Sequence, residues 1–378
     1  SDLAENYNKI KEVNDNGKVA VVFLTLQVLN KKTPEERHKQ VLESDVDLLF
    51  IDETHYGARA EKLGKILEYE DSDKDDVDWD KVSADAKKAK DKLSAKINLH
   101  LSGTPYNILK TDEFSEKDII AFCQFSDIAD EKKSWQSKYE AGDSTLSGKE
   151  AWDNPYFGFP QMIRFAFNLS DESRDYIDAM LEAGMEYFAG LFKTESDDKN
   201  NPQYNVFTHE ADVLKLFKTI DGSQEGNELL SFLEYEGVKA EQLCRHIVCA
   251  IPRCASCDAL EKLLKDHAGE FKNLGEYEII NISGLNSPYS GPSYVKKVKA
   301  KIAACEKRNK KTISLTVNKM LTGTTVKEWD SMLYFKDTQS AQEYDQATFR
   351  IQNPYIEKSV GIKDGKKYEL KIDKKPQT

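Results

Sequence analysis

No apolar run in these 378 residues approaches the ~20 that a membrane-spanning helix needs. The opening residues lack the basic, apolar, small-residue succession of a secretory leader, so a cytoplasmic location is expected. Positive charge is also short. A formal net charge of −12 argues against a protein that coats nucleic acid by bulk charge, though not against a local groove that grips phosphates. Only one C-x-x-C occurs, Cys254 to Cys257, where a zinc ribbon needs two. A phosphate loop of the form G-x-x-x-x-G-K-[ST] is missing throughout. Asp143 to Glu150 imitates it with Gly148-Lys149. However, Glu150 stands where Ser or Thr belongs, and Asp143 takes the place of the first glycine.

The length suffices for two ordinary domains, and 32% charged with 39% apolar residues is normal for a globular chain. The six cysteines read as reduced thiols. Four fall between 244 and 257, beside His246. They fit either a zinc site or a buried strand over His246 to Ile251 with Cys249 as a small core residue.

The stretch Leu48-Leu49-Phe50-Ile51-Asp52-Glu53-Thr54-His55 organises the rest. Its apolar half predicts a buried parallel strand. Its exit delivers two adjacent carboxylates to the edge where open α/β sheets bind ligands. One carboxylate can hold Mg²⁺ and the next can polarise a water. A capped surface turn is the plainer alternative.

Upstream, Val19 to Leu24 predicts another interior strand, and Thr33-Pro34-Glu35-Glu36 starts a helix. Glu68 to Asp80 is an acidic loop and Ala84 to Ala95 a surface helix. Ile97 to Leu101 is a third strand, ending in Ser102-Gly103-Thr104-Pro105. Helical periodicity covers Glu116 to Phe125 and Asp171 to Phe192. Asn154 to Pro160 is a rigid aromatic turn, and Met162 to Leu169 a strand returning to the first sheet. Val213 to Phe217 and Glu228 to Tyr235 read as helical, around a polar loop from Glu195 to Gln203. From 243 a strand–helix rhythm resumes. Strands are expected at 246–251, 277–282, 312–317 and 331–335, and helices at 256–266, 293–308 and 340–349.

In combination and order these motifs resemble superfamily 2 helicases of the DEAD/DEAH type. The likeness is nearest to the motor subunits of type I and type III restriction enzymes. It is carried by Asp52-Glu53-Thr54-His55, Ser102-Gly103-Thr104-Pro105, the loop Asn318 to Trp329, and Gln346 to Gln352. The resemblance implies an α/β fold of two RecA-like parallel-sheet domains, the first N-terminally incomplete, with a mostly helical connector. The expected boundaries are 1–170, 171–242 and 243–378. It implies ATP and Mg²⁺ as cofactors, with Asp52 as metal ligand and Glu53 orienting the hydrolytic water. His55, Ser102 and Thr104 would couple the nucleotide to the cleft. Gly323, Thr325, Gln346 and Arg350 would approach it from the second domain, with Arg350 as the finger. It further implies double-stranded DNA as partner, methyltransferase or specificity subunits nearby, and ATP hydrolysis coupled to movement on DNA.

The sequence departs from that pattern in three places. The phosphate loop is absent, which truncation would explain. Thr325 stands where an aspartate is common. Phe349 and Asn353 replace a glycine and an arginine of the last motif. A non-catalytic nucleic-acid- or partner-binding scaffold is therefore the alternative. A third reading takes Asp364 with Glu369-Leu370-Lys371 as a nuclease core, against an ordinary basic terminal strand.

Overall fold

The computed structural model describes residues 12–13, 15–23, 46–51, 95–103, 115–165, 187–224, 231–321, 324–338, 341–363 and 366–378. The chain forms two compact units, Ser1–Phe122 and Cys123–Thr378. The α/β class with parallel sheets holds.

In the first unit, β1 (Val46–Ile51) pairs in parallel with β2 (Ala95–His100), running from Val46 opposite Ala95 to Ile51 opposite His100. Both strands lie where their apolar runs put them. The full burial expected of β1 is not found, because Leu48, Phe50 and Ile97 are exposed and no described element stacks on them. The strand expected from Val19 is also absent over its described part. Residues 18–23 join no described strand, with Val19 87% and Phe23 93% exposed. An apolar run becomes a strand only where a neighbour satisfies its backbone, and no described strand does so here.

The second unit begins with α1 (Phe125–Glu140). The helix expected over Glu116 to Phe125 is instead a single turn, Glu116–Asp118. Ser115 and Asp118 cap each other there, and Ile119 turns extended. The Gln124 N–H then donates to Asp127 to start α1. The segment after Pro160 does not return to the first sheet over its described residues. Gln161 bridges Gln377, and the Ile163 N–H donates to the Thr378 carbonyl. Helix α2 (Glu210–Asp221) ends at Gly222, whose φ of +81° suits the left-handed C-cap.

The core is a four-stranded parallel sheet in the order β4-β5-β3-β6, with β3 (His246–Ala250), β4 (Glu278–Asn281), β5 (Thr312–Thr316) and β6 (Ser331–Tyr334). Helices α3 (Cys254–Asp266), α4 (Tyr294–Lys307) and α5 (Ala341–Phe349) complete it. Every residue of β3 and β5 is buried, the hydroxyls of Thr312, Ser314 and Thr316 included, as strands inside a parallel sheet should be. Side chains alternate to two faces. Ile247, Cys249, Ile313 and Leu315 pack with Cys257, Leu260 and Leu263 of α3. Val248, Ala250 and Ile280 pack with Val298 and Ile302 of α4 and with Trp329. Cys244, Cys249 and Cys257 are buried, and among the described residues no group of three His, Cys, Asp or Glu could hold a metal ion.

The terminal segment forms an antiparallel hairpin, β7 (Ile356–Lys363) with β8 (Lys366–Asp373). Residues 374–378 then run back into the unit. The Thr378 hydroxyl donates to the carbonyls of Asp330 and Ile351, at 2.8 and 3.0 Å. The Lys375 ammonium is buried, donating to the carbonyls of Trp329 and Lys327 at 2.8 and 3.0 Å. Burial pulls its pKa down to about 8. The unfolded chain keeps this proton up to its ordinary pKa of 10.5, so it binds more protons than the folded chain across that window. Stability attributable to Lys375 should therefore rise from pH 8 to 10.5, by up to about 3 kcal/mol. Urea unfolding across this range, compared between wild type and Lys375→Met, checks it. Parallel profiles would refute it.

Candidate functional site

In the first unit the candidate site begins at the carboxyl ends of β1 and β2. Ile51 lies opposite His100, and the Leu101 N–H donates to the Ile51 carbonyl at 2.9 Å. The two strand ends that the sequence marks as chemical are therefore neighbours in register. Ser102 is half-buried there. Asp52, Glu53, His55 and Thr104 lie outside the described residues, and with them the expected metal ligand.

In the second unit the ligand edge follows from topology. The connection from β3 through α3 to β4 crosses β5 on one face. The connection from β5 to β6 crosses β3 and carries Met320, Leu321, Val326 and Trp329 on the other. The loops after β3 and β5 part at this point, and a crevice of that kind is where open α/β sheets take ligands.

Polar side chains converge on this edge. The Ser283 and Thr316 hydroxyls are 2.9 Å apart, and the Thr316 hydroxyl donates to the Lys319 carbonyl at 2.8 Å. That bond helps to hold Met320 at φ +67°, a left-handed conformation rare for a side chain of its size. Lys336 donates to Asn318 at 2.7 Å and to Glu343 at 2.8 Å. Arg350 donates through Nε to the Leu321 carbonyl at 3.1 Å. The end of α5 is thereby tied to the loop after β5. Thr325 is exposed in that loop, and Gln346 is half-buried one turn before Arg350. Arg350 is thus brought to Leu321, while Gly323 lies outside the described residues. Cations, hydroxyls and an amide at one sheet edge can receive phosphate oxygens.

Sequence reasoning missed two networks. At the carboxyl end of β4, the Asn281 amide donates to Asp258 at 2.6 Å and to Glu261 at 2.9 Å, and accepts from the Gly284 N–H at 2.8 Å. Burial raises the Asp258 pKa. The available signal was Gly284, where any side chain would collide with Asp258 and Asn281. The other network lies at the amino edge, remote from the switch point. His246 Nε2 is 3.0 Å from Glu306, and its Nδ1 is 2.9 Å from the Thr312 hydroxyl. Arg245 adds a 2.9 Å ion pair to Glu306. The hydrogen bond from His246, helped by Arg245 and opposed by burial, brings the Glu306 pKa down to about 2. His246 is thus committed to a structural pairing on β3, the strand that carries Cys249.

No family model matches the chain. It is 30% identical, over 91% of its length, to a protein of Mycoplasma pneumoniae described as a type II restriction enzyme and methyltransferase, C-terminus. The match covers 49% of that protein, so the chain spans about half the length of the curated relative. This likeness relates the chain to restriction–modification proteins. It also corrects the motor expectation. The relative's description names restriction and methyl transfer, not a helicase, so ATP-driven movement on DNA is withdrawn as the function.

Proposed function

We propose that this chain is a DNA-acting segment of a restriction–modification protein. The observation that carries the reading is the similarity to the Mycoplasma pneumoniae restriction enzyme and methyltransferase along nearly the whole chain. The substrate is double-stranded DNA. The working context is a methyltransferase or specificity partner, whether in the same polypeptide or beside it.

Mg²⁺ and ATP are proposed as ligands of the first unit, with no translocation attached to them. Asp52 holds the cation, with Glu53 and His55 beside it, and Ser102 and Thr104 meet phosphate from the next strand end. The in-register pairing of β1 with β2 supports this arrangement. In the second unit Gly323, Thr325, Gln346 and Arg350 form a phosphate-accepting edge, supported by the bond from Arg350 to Leu321.

The test is fluorescence anisotropy of the folded chain against unmodified duplex DNA at low salt. It is paired with a cleavage assay, using the protein in its native length, on methylated and unmethylated duplex. Salt-sensitive binding and cleavage blocked by methylation are expected. Absence of duplex binding overturns the reading. For the cofactors, Asp52→Ala should weaken Mg²⁺-dependent binding of a fluorescent ATP analogue by at least about tenfold. Equal binding by the variant removes ATP and Mg²⁺ from the proposal.

A further inference from the structure

The hairpin is the least expected element of the second unit, and its two faces differ. Alternation along the strands puts Gly361, Tyr368 and Leu370 on one face. There Tyr368 stacks on Trp152, with centroids 6.2 Å apart and planes at 15°. Gly361 sits directly against the Tyr368 ring, where any side chain would collide with it. This face is fixed to the body of the unit.

The other face carries Lys358, Val360 and Ile362 on β7, directly opposite Lys371, Glu369 and Lys367 on β8. Val360 is 70% and Ile362 73% exposed. β-Branched side chains at such exposure have no packing role among the described residues. Two lysines, Lys358 and Lys371, stand opposite each other, which is unfavourable in isolation. Glu369 answers both, at 3.2 and 4.0 Å. Lys367 is exposed and has no acidic partner among the described residues. In a chain of net charge −12 this is a local reversal: a basic, apolar ribbon face that no described residue covers.

We propose that the outer face of this hairpin is a duplex-DNA contact, entering a groove as a two-stranded ribbon. The inference rests on the DNA reading above and names the surface that reading lacks. Geometry and charge select the occupant. The major groove of B-DNA is about 12 Å wide and admits a β-ribbon. Eight residues per strand give a ribbon roughly 25 Å long, enough to cross it. Lys358 and Lys367 lie on opposite strands and can reach phosphates on the two sides. Val360 and Ile362, between them, offer apolar contact to thymine methyls or sugar.

The test measures duplex affinity of the whole chain by anisotropy as a function of salt. Lys358→Gln with Lys367→Gln should bind at least about tenfold more weakly at 0.15 M salt, and the slope of log K against log salt should become shallower by about 2. Val360→Ser with Ile362→Ser should weaken binding several-fold at an unchanged slope. All four positions are solvent-facing, so melting curves should match wild type and exclude unfolding as the cause. An equal charge change on α4, Lys296→Gln with Lys297→Gln, serves as the control. Wild-type binding with both hairpin variants unaffected overturns the hairpin proposal and leaves the DNA reading standing, as does a loss confined to the α4 control. No duplex binding by the folded wild-type chain overturns both. A change in oligomeric state of the hairpin variants without a change in DNA binding would assign this face to a protein partner instead, and would also overturn the proposal.

Discussion

Asp221→Ala is expected to destabilise the second unit by about 4 kcal/mol, a large share of the 5–15 kcal/mol typical of a folded domain. Asp221 is the last residue of α2 and is fully buried. Its carboxylate accepts from three successive backbone N–H groups, Lys272 at 2.7 Å, Asn273 at 3.0 Å and Leu274 at 2.7 Å. It also accepts from the Ser223 hydroxyl. Its own carbonyl takes the Asn273 amide at 2.8 Å. This one side chain joins the end of α2 to the turn that launches β4. Alanine leaves the Asn273 and Leu274 amides without that acceptor, at about 1–3 kcal/mol each before water enters, while Lys272 keeps the Ser223 hydroxyl at 3.0 Å. Asp221→Asn keeps one acceptor oxygen and should lose about half as much. Urea denaturation followed by far-UV circular dichroism measures both. A loss under 1 kcal/mol for the alanine variant would mean that the turn holds without its carboxylate.

Trp329→Ala should lower stability by a similar amount, about 3–5 kcal/mol. Trp329 is fully buried on the face of the sheet that carries Val248, Ala250 and Ile280. Its indole N–H donates to the Ser314 hydroxyl at 3.2 Å, and its carbonyl receives the buried Lys375. Truncation opens a large void under the crossover from β5 to β6. The carbonyl of residue 329 that receives Lys375 survives the substitution, but the void lets water reach that buried ammonium. The measurable signature is a lower urea midpoint, together with a Lys375 whose pKa rises toward its exposed value. Trp329→Phe keeps most of the volume and should lose roughly 1–2 kcal/mol. Equal effects of the two variants would show that the indole N–H, rather than packing, carries the position.

Much of the second unit was legible from local pattern. After His246, the run Ile247 to Ile251 and the run Thr312 to Val317 are apolar or small, a pattern that suits an interior parallel strand, and both became strands. Leu260, Leu263 and Leu264 share one helix face, and that face is buried. In the first unit the strands at β1 and β2 were expected from their apolar runs, while their pairing was not read. What could not be read is long-range. Nothing local tells Lys375 that it will lie under Trp329, or Gln161 that it will meet Gln377. Val19 to Phe23 has the composition of a strand but no described neighbour to complete it. Of the candidate site, the sequence aimed Arg350 at a nucleotide and did not foresee its bond to the Leu321 carbonyl. The networks around Asn281 and Glu306 were not foreseen either, because each joins residues far apart in sequence. On function, motif order alone pointed to a motor, and the likeness to a restriction enzyme and methyltransferase redirected it.

The strand order of the sheet also sets a timetable for synthesis. β3 is central and is made first, but its two neighbours, β5 and β6, come much later in the chain. The bond from Arg245 to Asp330 spans 85 residues. At about 5–20 residues per second, β3 waits roughly 4–17 s on the ribosome before its second edge is covered. For that interval a mostly apolar strand has open backbone edges, a recruiting point for a cotranslational chaperone. Slower translation through residues 251–330 should therefore lower the yield of native protein rather than raise it.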